Sequence, residues 1–125
     1  MKTTGIKYLL LLSGLAAALS LSGCGEKTYG SGIDPEAELK TVAEIFTNPE
    51  LQGRKVTVEG RIHAQCPSNG CWFVLQDDTG QIYVDLSQNG FELPPMQGRT
   101  IAAAGVVSSF RGAMMMIIAE GVELR

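Results

Sequence analysis

Five period-two segments between positions 54 and 124, separated by turn signals, constrain this chain most. Val56, Val58, Gly60 and Ile62 alternate with Thr57, Glu59, Arg61 and His63, the pattern of a strand with one buried face. Residues 71–76 predict a second strand and residues 81–86 a third, with Ile82, Val84 and Leu86 on one face. Asp77-Asp78-Thr79-Gly80 is the hairpin turn between them. Asn89-Gly90 and Pro94-Pro95 make residues 87–98 an irregular connection. A fourth strand follows over 99–107, a turn at Phe110-Arg111-Gly112, and a fifth strand over 113–124 with a break expected near Gly121. A flat sheet of five such strands would leave two raw edges and an uncovered face. Closure removes both problems, so the expected fold is all-β, a small five-stranded barrel with Gly60 and Gly105 at its bends.

With 125 residues there is room for one core and not two, and far too little for an eight-stranded α/β barrel. Thr41 and Glu44 have capping-box spacing, so a short helix is expected before the barrel, with Val42, Ile45 and Phe46 on one face and Pro49 limiting its length.

The N-terminus carries an address. Lys2 and Lys7 precede an apolar run over 8–21 that is too short and too punctuated to be a good spanning helix. Leu21-Ser22-Gly23-Cys24 then resembles the lipobox of bacterial lipoproteins, an uncleaved anchor being the alternative. The resemblance implies a signal peptide over 1–23, acylation of Cys24 (palmitate-type chains) and a mature chain starting there. Gly25, where an Asp would signal retention, resembles the outer-membrane sorting pattern. Residues 24–38, rich in glycine and without apolar period, are expected to be a flexible tether, and 39–125 the folded domain. The net charge of -3 becomes -5 once Lys2 and Lys7 are removed, since eight basic residues then face 13 acidic ones. The membrane is thus reached through lipid and not through a polybasic patch.

Residues 53–62 followed by Phe73-Val74-Leu75-Gln76-Asp77-Asp78-Thr79-Gly80-Gln81-Ile82 resemble the first three strands of OB-folds of the anticodon-binding type. Gly70-Cys71-Trp72 is similar to a motif on the second strand of small bacterial envelope proteins of that fold. The resemblance implies an OB-like barrel that binds on its strand two–three face, flanked by the loops after strands one and four. Residues 54–125 hold six basic and seven acidic side chains, a balance that weighs against nucleic acid.

Cys66 and Cys71 bracket a tight loop containing Pro67 and Gly70, and in an exported protein a disulfide is the first expectation. The alternative is a soft metal, copper or zinc, held by His63, Cys66 and Cys71, with thioethers from the 114–116 methionine run. At least one face of that run is expected in the core. Thiol exchange is a weaker alternative, because nothing in the sequence obviously lowers a thiol pKa. Otherwise no cofactor is expected. The single histidine lacks partners for a hydrolytic triad, so no enzyme is expected. Asp77, Asp78 and Asp85 are carboxylates close in sequence, and Asp77-Asp78-Thr79-Gly80 reads as turn chemistry and not as an acid–base pair. Parity turns Trp72 and Tyr83 outward, where they could stack a ligand, with Arg61 and Arg111 adding charge at either end of the face; the competing reading packs Trp72 on the 41–46 helix. The expected function is a lipid-anchored envelope binding module for an unidentified protein or small ligand, facing the periplasm from the outer membrane.

Overall fold

The structure, a computed structural model, describes residues 27–125. The expected signal peptide over 1–23 and the expected lipid attachment at Cys24 lie outside those residues. The elements in order are β1 (Thr28–Gly30), β2 (Glu38–Leu39), α1 (Val42–Thr47), a 3-10 turn (Pro49–Leu51), β3 (Lys55–Gln65), β4 (Trp72–Asp77), β5 (Gly80–Asp85), a second 3-10 turn (Ser87–Asn89), β6 (Thr100–Phe110) and β7 (Met114–Leu124). Among the described residues no helix is long and apolar enough to cross a membrane.

The five longest strands close into a ring. β3 pairs antiparallel with β4 and β6, β4 antiparallel with β5, β5 parallel with β7, and β7 antiparallel with β6. This is the small closed barrel that the alternation predicts, in the OB-like form that the resemblance implies. The ring is strongly sheared, because β3 gives its first half, Lys55 to Arg61, to β6 and its second half, Arg61 to Gln65, to β4. The two glycines expected at bends sit where backbones nearly touch. A Cβ on Gly60 would strike the Gln76 carbonyl and one on Gly105 the Ile118 carbonyl. The β6–β7 ladder slips beside Gly105, and β7 runs unbroken through Gly121, contrary to the expected break. β6 also continues to Phe110, three residues past its expected end.

Shear leaves two strand edges without a barrel neighbour, and residues expected to form a flexible tether fill both. β1 pairs with Gly121–Glu123 beyond the end of β5, and β2 pairs with Val56 and Thr57 where β4 does not reach. Lys55 Nζ fastens the segment between them, lying 3.6 Å from Asp34 and 3.1 Å from Glu120. From residue 28 onward, therefore, the expected tether is part of the folded domain. Raw edges are a liability that a three-residue strand suffices to cover.

Alternate residues of the ring fill the core: Val56, Val58 and Ile62 from β3, Phe73 and Leu75 from β4, Ile82 and Val84 from β5, Ile101 and Ala103 from β6, Ile117 and Val122 from β7. One end is closed by Val42 and Ile45 of α1. The helix has the predicted capping box, and it is held to the Asp77–Gly80 turn by Val42 N–H donating to Asp77 Oδ2 (2.9 Å) and Ala43 N–H to Thr79 Oγ1 (2.9 Å). Phe46, expected on the buried face, is 51% exposed; Val42 and Ile45 already fill that opening. Leu93 and Met96, in the connection after β5, join the same core from the other end.

Candidate functional site

The outward face of β4 and β5 follows from the pleat. Phe73, Leu75, Ile82 and Val84 point inward, which turns Trp72, Val74, Tyr83 and Asp85 outward. Trp72 pairs with Asp85 and Val74 with Tyr83, so the two aromatic rings sit on a diagonal of the ladder. They stack with centroids 5.6 Å apart and planes inclined by 27°. Met116 flanks Tyr83 on β7 and is buried, whereas Met115 turns inward to pack on the core. Burial, followed by the negative charge of Asp85 and the nearby cysteines, pushes the Tyr83 phenol above its ordinary range. Tyr83 is therefore a neutral donor at neutral pH.

α1 sits at the Asp77 end of β4, and Trp72 is at the other end, about 17 Å along the strand. The competing expectation that Trp72 packs on the helix is thus corrected. Two other expected members are also not gathered at the aromatic pair. Arg61 pairs with Gln76, about 13 Å along β4 from Trp72. Arg111 occupies the β6–β7 turn with a left-handed φ of 53°, its guanidinium 5.2 Å from the centroid of Phe110.

The Cys66–Cys71 loop adjoins Trp72 directly. Cys66 N–H donates to the Trp72 carbonyl (3.1 Å), and Gly70 N–H returns to the Cys66 carbonyl (3.3 Å). The loop is clamped from outside, because Leu93 N–H donates to the Gly70 carbonyl (3.0 Å) and Gln65 Nε2 to the Pro94 carbonyl (2.8 Å). Gly70 has a φ of 65° and its missing Cβ would collide with the Leu93 carbonyl, so glycine is required there. Between this loop and the Pro94-Pro95 stretch lies a groove of about 610 Å³ with Cys66, Ser68 and Asn69 on one wall and Glu92 and Pro94 on the other.

Cys66 and Cys71 stand as thiols with their sulfurs 3.9 Å apart. Their environments differ. Cys66 Sγ lies 3.3 Å from Ser68 Oγ and 3.3 Å from Asn69 Oδ1. The Ser68 hydroxyl, then the Asn69 and Ser68 backbone N–H groups, stabilise the thiolate and bring its pKa down to about 6. Burial pushes the Cys71 thiol up, and it donates its proton toward the Cys66 sulfur. The sequence reading missed this asymmetry. Its signal was present in the turn-forming Ser68-Asn69 pair, whose donors can reach back to the residue that opens the loop.

His63, Cys66 and Cys71 are not assembled as a three-ligand set. Among the described residues no three His, Cys, Asp or Glu side chains converge in a way that could hold a metal ion. His63 is exposed on β3, and the ladder slips at that position. Asp77 is turn chemistry, as expected. Asp85 is too, accepting from Ser87 Oγ (2.9 Å) and Gln88 N–H (3.1 Å).

Comparison with known proteins bears on the fold. No family model matches the sequence, and no curated protein matches it. Solved structures do. The hypothetical protein ygiW from E. coli is 18% identical with a TM-score of 0.56, over 76% of this chain and 99% of that one. Asparaginyl-tRNA synthetase from Pyrococcus horikoshii is 17% identical with a TM-score of 0.54, over 68% of this chain but 22% of the synthetase. At such identities the shared property is the OB-like barrel, and this chain corresponds to about a fifth of the enzyme's length.

Proposed function

We propose that this chain is a lipid-anchored module of a bacterial cell envelope, tethered through Cys24, whose OB-like barrel binds a protein segment or small ligand on the β4–β5 face. The anchor rests on Lys2 and Lys7, the apolar run after them, and Leu21-Ser22-Gly23-Cys24. Gly25 favours the outer membrane, with the barrel in the periplasm. The binding reading is carried by one observation: Trp72 and Tyr83 stack on an outward sheet face, where their rings are only partly covered. Rigid aromatic side chains offer large contact area at small entropic cost.

The synthetase neighbour raises nucleic acid as a second reading. That reading needs a strip of cations beside the aromatic pair. Arg61 and Arg111 lie elsewhere and Asp85 adjoins Trp72, which favours a partner without phosphates.

Two experiments test this. Cys24→Ala should shift the protein from the membrane pellet to the supernatant; persistence in carbonate-washed membranes would refute the anchor. A photoreactive residue at position 83 should give a discrete adduct in intact cells that disappears in a Trp72→Ala background, while the same probe at position 46 gives none. Identical adducts from both positions would remove the face from consideration.

A further inference from the structure

The cysteine loop carries an activity separable from binding on the aromatic face. We propose that Cys66 and Cys71 form a thiol–disulfide exchange site, in which Cys66 attacks a disulfide laid in the adjoining groove and Cys71 resolves the mixed disulfide. Three features of geometry support this. The two sulfurs are 3.9 Å apart, so a bond of about 2.05 Å needs little beyond side-chain rotation. Their backbones are fixed from both sides by the Cys66–Trp72 and Leu93–Gly70 hydrogen bonds, which hold the pair in reach of one another. Cys66 lines the open groove whereas Cys71 does not, so an incoming disulfide meets Cys66 first.

The electrostatics assign the same roles. The Ser68 hydroxyl and the Ser68 and Asn69 N–H groups stabilise the Cys66 thiolate, and the Cys71 thiol adds a fourth donor. The Asn69 amide presents Oδ1 to a protonated Cys66, and a half-turn about its last bond presents Nδ2 to the thiolate. Cys71, held protonated by burial, waits until the first sulfur is consumed. The chemistry balances. The Cys66 thiolate attacks one sulfur of a substrate R–S–S–R′, the S–S bond breaks and R′S⁻ leaves with its electron pair and takes a proton from solvent. Cys71 then loses its proton and attacks Cys66 Sγ, giving the Cys66–Cys71 disulfide and expelling RS⁻, which is protonated in turn. The substrate gains two electrons and two protons; the cysteine pair gives up both electrons and the Cys71 proton, and solvent supplies the other proton. Run backward, the oxidised pair oxidises a dithiol. An internal disulfide here is thus one of two working states.

The test uses the full-length lipidated protein in detergent, reduced and then freed of reductant without oxygen. At pH 6 it is mixed with oxidised glutathione or with a disulfide-bonded peptide, quenched in acid, and weighed intact. Cys71→Ser should accumulate one mixed disulfide, formed about tenfold faster than on a free cysteine at that pH. The thiolate fraction is raised by more than the lowered nucleophilicity subtracts. Wild type should pass on to a form about 2 Da lighter than the reduced chain, with both substrate thiols released. Cys66→Ser should react at least tenfold more slowly than Cys71→Ser. Faster reaction with the peptide than with glutathione identifies a protein disulfide as the substrate, and equal rates identify a low-molecular-weight one. Trp72 fluorescence, matched between variants and wild type, verifies the fold. Equal adduct rates on the two single variants would overturn the proposal. So would an oxidised pair that resists a tenfold excess of a dithiol peptide, the mark of a purely structural bridge. Either failure leaves the Tyr83 cross-link untouched, so the two readings fall separately.

Discussion

The two ends of β4 solve similar electrostatic problems with opposite results. At one end the Asp77 carboxylate receives Val42 N–H, Thr79 N–H, Thr79 Oγ1 and Gly80 N–H. At the other the Cys66 sulfur receives Ser68 Oγ and backbone N–H groups of the loop. Both acceptors have turn donors converging on an ionisable group, and both anions are stabilised. Burial pushes the Asp77 carboxyl up, but the Thr79 hydroxyl and the three backbone N–H groups outweigh it and hold it below the usual carboxylate value. Asp77 receives donors on both carboxylate oxygens and fastens α1 to the barrel. Cys66 faces a groove. A turn that gathers N–H donors becomes a structural lock when a second element covers the acceptor, and a reactive centre when the acceptor stays open.

The largest effect that would break this contrast is on stability. Asp77→Ala removes four donors' partner and frees the helix, and should cost about 2–3 kcal/mol in denaturant unfolding. A cost within error of zero would show that α1 is held by Val42 and Ile45 alone.

Next in size is the pH dependence of the reduced protein, read as melting temperature. Asp77 has a folded pKa below its unfolded one, so its stabilisation is present above the ordinary carboxylate range and is lost as pH falls through the folded value. Cys66 obeys the same sign in a different window. Its folded pKa of about 6 lies below the ordinary thiol value, so its contribution is complete in alkaline solution and fades as pH falls toward 6. Cys71, shifted upward, opposes it on the alkaline side. Cys66→Ser should erase the part of the slope between the ordinary thiol value and about 6 and leave the acid limb intact. An unaltered slope would place the thiolate stabilisation elsewhere.

The smallest expected effect is Cys66→Ser itself near neutral pH. In the reduced protein it should leave the melting temperature close to that of wild type, far from the Asp77→Ala value. A comparable loss would make the cysteine loop a second lock.

Much of the barrel was legible because its strands are long enough to show a period. Residues 55–62 and 81–86 alternate cleanly, and every inward position they nominate for the core except Gly60 is buried. The Thr41–Glu44 cap was legible because it is a local motif with fixed spacing. β1 and β2 were not, since strands of three and two residues carry no period and exist only because shear exposes edges elsewhere. In the site, parity identified Trp72 and Tyr83 as outward neighbours, but it carries no distance along a strand, so how far Arg61 and Arg111 stand from the pair was not legible. The lowered Cys66 pKa was only half legible: Ser68-Asn69 marks a turn in the sequence, but that the Ser68 hydroxyl and the loop N–H groups aim at Cys66 is a property of the folded loop.

β1 also sets a length. Leu124 N–H donates to the Lys27 carbonyl, so the chain is already bound to β7 three residues after Cys24. Three extended residues span at most about 10 Å. On the proposed anchor, the C-terminal end of β7 rides against the headgroups, and the aromatic face at Met116 stands about 20 Å farther along that strand from Val122. Such a molecule patrols a thin shell above its own leaflet. On that anchor, whatever it meets must come to the membrane that holds it.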